Sequence, residues 1–196
     1  MFKSYASKIT SFLIENKEIN KEDYEVYKYG FEVLIAFTVN IVIVLSIGLL
    51  FNKLFYSIVF LVCYCPIRQF SGGYHANCYI KCLLIFVFIF ILTIYTSARV
   101  YSPVYSLMIF IISTLSYMGI WTLSPLEHRH NPLTLNEINK YRKISKILAG
   151  IVYVLTLTFV NKNEFRELSA YTCSSLFWIN IMLCLGSLKS AFSRGS

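Results

Sequence analysis

The sequence predicts an all-α, polytopic integral membrane protein: about six transmembrane helices behind an N-terminal amphipathic helix. Three observations carry this. The 196 residues are 57% hydrophobic and only 14% charged, with a mean hydropathy of +0.61, whereas a soluble domain is about 25% charged. Six apolar stretches follow one another, separated by short polar breaks. The breaks alternate between rich and poor in Lys and Arg. These figures exclude a disordered chain or a nucleic-acid-binding tail. The net charge of +8 therefore reads as Lys and Arg on the cytoplasmic side of a membrane. The length suits one compact unit.

The elements follow in order. Phe2, Tyr5, Ala6, Ile9, Phe12 and Leu13 recur at helical spacing with Lys3, Lys8 and Ser11 between them. This is an amphipathic helix, lying in the membrane interface or packed on the loops of its own protein. Glu15, Lys17, Glu18, Lys21, Glu22, Asp23 and Glu25 make residues 15–25 a solvated helix or turn. Residues 1–29 mix acids and bases, lack a cleavage site behind an apolar core, and read as a cytoplasmic or interfacial segment, not a signal peptide. Residues 30–192 form the six-helix membrane domain. Its apolar stretches are Phe31–Phe51, Leu54–Ile67, Tyr79–Ala98, Pro103–Leu123, Ile144–Val160 and Ala170–Leu188. The second ends in Cys63-Tyr64-Cys65-Pro66 and is short for a straight span, so it is tilted, extended at its N-terminal end, or re-entrant. Asn40 and Asn180 read as helix–helix glue. The absence of a firmly placed charge inside the stretches argues against ion-coupled transport. Ser193-Arg194-Gly195-Ser196 reads as the scar of a cleaved tag and carries no functional weight.

The basic residues set the orientation. With the N-terminus in the cytoplasm and six crossings, only Lys53, Arg99, Lys162 and Arg166 fall outside, of 18 Lys and Arg in all. Both ends are then cytoplasmic.

Reactive side chains gather in two cytoplasmic loops. Loop 68–82 reads Arg68-Gln69-Phe70-Ser71-Gly72-Gly73-Tyr74-His75-Ala76-Asn77-Cys78-Tyr79-Ile80-Lys81-Cys82. A thiolate nucleophile needs an imidazole to take its proton and return it to a leaving group. His75 is the histidine of this loop, and Cys78 and Cys82 are its thiols. On a helix starting at His75, Cys82 would lie about 10 Å along the axis. A His75–Cys82 pair therefore requires His75 in irregular chain that folds back over the helix. Gly72-Gly73 supplies the backbone freedom for it. Glycine amides would line an oxyanion site, and Arg68 would stabilise a thiolate or oxyanion. Spacing alone leaves other readings open. Cys63, Cys65, Cys173 and Cys184 read as small core residues. Cys63, Cys65, His75, Cys78 and Cys82 together offer soft ligands for a tetrahedral zinc ion, at irregular spacing and without a CxxC pair. Disulfides do not suit thiols facing a reducing compartment.

The second loop lies within 124–143. Ser124-Pro125-Leu126-Glu127-His128-Arg129-His130-Asn131-Pro132 is stiffened by two prolines. It is either a rigid connector or a wall of a site. Lys140, Arg142, Lys143 and Lys146 follow, and would meet anionic lipid or an acidic peptide.

These residues resemble the accessory gene regulator protein B (AgrB) family. The family's pattern is an arginine, then Gly-Gly-x-His-Ala, then a cysteine seven residues after the histidine. Arg68, Gly72-Gly73-Tyr74-His75-Ala76 and Cys82 match it. The stretch from Pro125 to Pro132 is similar to the family's Pro-x-Glu-His-x-Asn-x-Pro, one residue off in spacing. The resemblance implies a membrane-embedded cysteine endopeptidase with no cofactor and no metal. It would remove the C-terminal tail of an AgrD-type quorum-sensing propeptide and promote its cyclisation. His75 would be the general base and Cys82 the nucleophile, with Cys78 the rival thiol. Arg68, Gly72 and Gly73 would support them, and Glu127, Asn131, Lys140, Arg142 and Lys143 are candidate substrate contacts. Membrane lipids, the propeptide and a second copy of the chain are the implied partners, and nucleic acid is not one. A peptide transporter or exporter and a non-catalytic scaffold are the competing classes. Both predict that His75 and Cys82 tolerate substitution.

Overall fold

The computed structural model describes residues 2–73, 79–99, 103–126 and 134–194. Seven α-helices account for nearly all of them: α1 (Phe2–Glu15), α2 (Tyr24–Leu50), α3 (Leu54–Ser71), α4 (Tyr79–Ser97), α5 (Pro103–Leu123), α6 (Leu135–Val160) and α7 (Arg166–Arg194). Helices α2 to α7 are each long and apolar enough to cross a membrane. The protein is thus an all-α polytopic membrane protein with an N-terminal helix, as the sequence predicts. Short 3₁₀ turns precede α2 at Lys21–Asp23 and α7 at Asn163–Phe165.

The helix α1 packs on α2. Ala6 and Thr10 are buried, and Ser7 and Tyr24 share a hydrogen bond of 3.0 Å, while Tyr5, Ile9 and Phe12 stay exposed. One stripe therefore meets the protein, and the bulky apolar residues face away from it. Glu32 of α2 is buried near the start of the first span. It is a carboxyl group that the expectation of an uncharged interior did not include.

Helix α7 is the axis of the bundle, packing against α3, α4, α5 and α6. Its first half is rich in small and hydroxyl residues, with Ser169, Ala170, Thr172, Cys173 and Ser175 all buried. Without a hydrophobic driving force between helices in lipid, small side chains and hydroxyl bonds hold them together. Thr156 of α6 donates to Thr172 at 2.9 Å, Ser97 of α4 donates to the Tyr171 hydroxyl at 3.3 Å, and the Cys173 thiol faces the Ile109 carbonyl at 3.8 Å. Lys53, between α2 and α3, forms an ion pair with Glu167 at the start of α7. Of the two asparagines read as glue, Asn180 packs against Gly119 of α5. The Asn40 side-chain oxygen is buried without a hydrogen-bond partner among the described residues.

The bundle therefore has two ends. At one lie Lys53, Ser97, Tyr171 and Glu167. At the other lie the C-terminal turn of α3, the start of α4, the end of α5 and the start of α6. The described residues of both polar stretches singled out in the sequence belong to this second end.

Candidate active site

The site begins with an extension of α3. The apolar stretch ends at Ile67, because Arg68 and Gln69 lower the local hydropathy. The helix itself continues to Ser71. The extension is therefore C-terminal, and not N-terminal as one of the three sequence alternatives had it. With 18 residues at 1.5 Å each, α3 is about 27 Å long, close to the thickness of a hydrocarbon core. A basic residue in the last turn suits the negative end of the helix dipole. So Arg68 stands in a helix, not in the loop to which the sequence reading assigned it.

Two glycines end that helix, each for its own reason. Gly72 has φ 69° and Gly73 φ 113°, a region closed to most L-residues. A Cβ at Gly72 would collide with the Leu126 carbonyl oxygen. A Cβ at Gly73 would overlap Arg68 Nη1 and lie 3.1 Å from the Met182 carbonyl oxygen of α7. The bare backbone of Gly73 thus packs against both the guanidinium and α7.

The second polar stretch meets the first here. Gly72 and Leu126 form a parallel bridge, and the Leu126 amide donates to the Ser71 carbonyl at 2.9 Å. Two segments far apart in sequence are joined backbone to backbone. Nearby, Ser124 and Ser145 share a buried hydrogen bond of 2.6 Å, and the Phe70 ring meets the Tyr141 ring edge-on at 5.6 Å. These contacts bring the start of α6 beside the end of α3.

Within loop 124–143, the part from residue 135 onward is helix. Thr134 accepts from the Glu137 amide, and the Glu137 carboxylate accepts from the Thr134 amide, a complete capping box. Lys140, Arg142 and Lys143 are therefore on the first turns of α6, all exposed. They flank Tyr141, which sits over Phe70. Lys146 is drawn over the Trp121 ring at 4.2 Å.

Cys82 lies near the beginning of α4, half-buried, as a free thiol. Arg68 lies one turn beyond Tyr64 on α3 and Cys82 one turn before Phe86 on α4, and the Tyr64 and Phe86 rings are 5.2 Å apart, so Arg68 and Cys82 stand at the same level of the bundle. Arg68 and Gly73 thus come together, with Gly72 one residue away against Leu126 and Cys82 at the same end of the bundle. Lys140, Arg142 and Lys143 stand at the same end of the bundle. His75, Cys78, Glu127 and Asn131 lie outside the described residues, as do His128 and His130.

Of the four cysteines read from the sequence as small core residues, two are in the core and two are not. Cys63 and Cys173 are buried in the core, and Cys65 and Cys184 are half-buried. Among the described residues no three His, Cys, Asp or Glu side chains gather for a metal. Two of the five ligands considered for zinc, His75 and Cys78, are not among those residues.

Sequence reasoning missed two neighbours of the Arg68–Gly73 contact. Tyr64 lies one helical turn before Arg68, a spacing that pairs side chains on a helix face. That signal becomes readable only once α3 is known to include Arg68. The Met182 carbonyl leaves no trace in the sequence, because only the packing of α7 places it there.

Comparison with known proteins places the chain among relatives of one family. The family model for accessory gene regulator B matches residues 6–185. The accessory gene regulator protein B of Staphylococcus carnosus is 26% identical over 157 residues, covering 80% of each chain. Putative AgrB-like protein 1 of Clostridium perfringens is 27% identical over 156 residues, which is 76% of this chain and 79% of that one. Putative AgrB-like protein 2 of the same species is 26% identical over 165 residues, 81% of this chain and 75% of its own. No solved structure matches the chain. The matched region takes in most of the bundle and the whole Arg68–Cys82 segment, and the chain belongs to the accessory gene regulator B family.

Proposed function

We propose that this multi-pass membrane protein is the cysteine endopeptidase that processes an AgrD-type propeptide in an agr quorum-sensing system. Family membership supports the role in quorum sensing. One observation supports the chemistry: the Arg68 guanidinium, packed against Gly73, and the half-buried Cys82 thiol near the start of α4 stand at the same end of the bundle. A nearby cation and the positive end of a helix both stabilise a thiolate.

In this reading His75 takes the Cys82 proton. The thiolate attacks the carbonyl that precedes the propeptide's C-terminal tail. A carbon–sulfur bond forms, the peptide carbon–nitrogen bond breaks, and His75 returns the proton to the departing amine. The peptide remains as a thioester on Cys82. An internal Cys or Ser of the peptide then attacks that thioester and closes a thiolactone or lactone ring, and Cys82 recovers its proton. Thioester exchange is nearly balanced, whereas hydrolysis would discard the acyl-transfer potential. The site must therefore hold the internal nucleophile close and keep water out. A site at the boundary of a membrane bundle serves both needs. Arg68 and the amides of Gly72 and Gly73 would stabilise the oxyanion. Glu127, Asn131, Lys140, Arg142 and Lys143 would receive the substrate, with the bases meeting an acidic tail.

The same proposal sets both termini in the cytoplasm, on the strength of the basic-residue asymmetry. It includes a homodimer and contact of the N-terminal segment with lipid. An amphipathic propeptide bound to the same membrane would search in two dimensions and arrive at raised effective concentration.

The test is propeptide cleavage in proteoliposomes, with mass spectrometry of the enzyme. The expected result is a tail fragment and a thioester on Cys82, both lost in Cys82→Ala, with most activity lost in His75→Ala. A Cys82→Ala variant that still cleaves would overturn the reading in favour of a transporter or scaffold.

A further inference from the structure

We propose that Lys146 and Trp121 form a binding site for the headgroup of an anionic phospholipid, at the seam between α5 and α6 and outside the candidate active site. The site is built by two membrane helices alone and is independent of the endopeptidase reading.

The depth of the site follows from the sequence. The apolar run of α6 begins at Ile144, so Lys146 stands where the helix passes from its basic first turns into hydrocarbon. Trp121 stands in the last turn of α5, and tryptophan is enriched at that level of a bilayer. The two side chains meet, with Lys146 Nζ 4.2 Å from the centre of the Trp121 ring. The indole is held in its turn. Tyr117 packs edge-on against it at 5.8 Å and stacks on Tyr153 of α6 at 5.0 Å and 3°. The Tyr153 hydroxyl shares a hydrogen bond of 3.0 Å with Thr114 of α5. The ammonium therefore rests on an aromatic frame to which both helices contribute.

Charge names the ligand. A lysine at this depth ordinarily extends its ammonium toward water. Lys146 is half-buried and lies over an indole face instead, a contact that offsets only part of its charge. Among the described residues no carboxylate pairs with Lys146, nor with Arg142 one turn before it. Beside the pair, Met118 of α5 and Ile147 of α6 expose apolar side chains. An anionic phospholipid complements both features. Its phosphate oxygens accept from the ammonium, its net charge suits cations near the bilayer surface, and its acyl chains cover the apolar side chains. A soluble acidic peptide would complement the charge alone. The site also lies away from the substrate side. Tyr141 meets Phe70 of α3, and Lys146, five residues on, points about 140° away around α6.

The experiment uses Trp121 as its own reporter. Trp178→Phe leaves it the remaining tryptophan, and the full chain is reconstituted in vesicles of equal parts phosphatidylcholine and phosphatidylglycerol. One lipid or the other carries brominated acyl chains, which quench a tryptophan they touch. Quenching should show about a fivefold preference for phosphatidylglycerol, the value of one cation near an anionic surface. Lys146→Gln should abolish the preference, and Lys146→Arg should retain it. Lys140→Gln removes the same charge from another face of α6 and should leave the preference in place. Equal quenching by the two lipids before any change at Lys146 would overturn the proposal and leave that base to a peptide partner. So would a preference that survives Lys146→Gln, or one that falls as far in Lys140→Gln, the mark of diffuse surface charge. With both tryptophans present, phosphatidylglycerol added in detergent should raise the melting temperature more than phosphatidylcholine does, and Lys146→Gln should lose that gain. No gain in the unaltered protein would count equally against the site.

Discussion

The Leu126 amide donates to the Ser71 carbonyl at 2.9 Å. This bond, with the Gly72–Leu126 bridge, clasps the end of α3 to the segment that leaves α5. It occurs where α3 has run out of helical acceptor–donor pairs, so each segment satisfies a backbone group of the other. The first motif and the second are therefore parts of one structure at one end of the bundle.

The clasp predicts the effect of Gly72→Ala. The new methyl group meets the Leu126 carbonyl in a conformation with φ 69° that alanine resists. The expected cost is about 1–3 kcal/mol, seen as a lower melting temperature of the detergent-solubilised protein at about 2–4 °C per kcal/mol. Propeptide cleavage should fall with it. An unchanged melting temperature would show that the clasp carries no stability.

Gly73→Ala acts on another partner. Its methyl group competes with Arg68 Nη1 for the space beside Met182. The guanidinium must move, and in the proposed mechanism the Cys82 thiolate would lose its cation. Alkylation of Cys82 should slow about tenfold or more, the scale of losing one charged contact. If Gly73→Ala slows cleavage yet leaves alkylation unchanged, the glycine serves the peptide instead of the thiol.

Much of this architecture is legible in the residues, and the limits are physical. Hydropathy finds α2 to α7 because lipid demands long apolar helices. It does not find their polar ends. Arg68 is assigned to a loop because hydropathy drops there, although a cation is welcome at a helix C-terminus. The start of α6 is displaced to Ile144 for the same reason, although Thr134 and Glu137 spell a capping box. The Gly72–Leu126 bridge and the Gly73–Met182 approach depend on how distant helices pack, and no local pattern announces them. Glu32 is a further case, since only the packing of the bundle reveals its burial.

The exposed bases of α6 predict a binding effect. Lys140, Arg142 and Lys143 flank Tyr141 beside Phe70, at the same end as Cys82. An acidic propeptide tail docked there would be steered by charge. Replacing all three by Gln should raise KM about tenfold at low salt, with kcat little changed. The difference should shrink as ionic strength rises, because exposed charges are screened. A fall in kcat with constant KM would place these residues in the chemistry instead.

The close approach of α2 and α3 offers a compensation test that does not depend on activity. Gly48 of α2 is buried against Ser57 of α3. A Cβ at position 48 would collide with Ser57 Oγ and lie 2.8 Å from Ser57 Cβ. The Ser57 hydroxyl is committed to the Lys53 carbonyl at 2.8 Å, so it cannot simply swing away. Lys53 also holds Glu167 of α7, which ties this contact to the axis of the bundle. Gly48→Ala should therefore destabilise the protein by about 1–3 kcal/mol through overpacking. Ser57→Gly should remove both atoms in the way and restore part of the loss in the double variant, despite its own cost in helix propensity. Thermal unfolding of the four proteins reads the coupling directly. Additive losses would mean that α2 and α3 are held apart by something other than the Gly48–Ser57 contact.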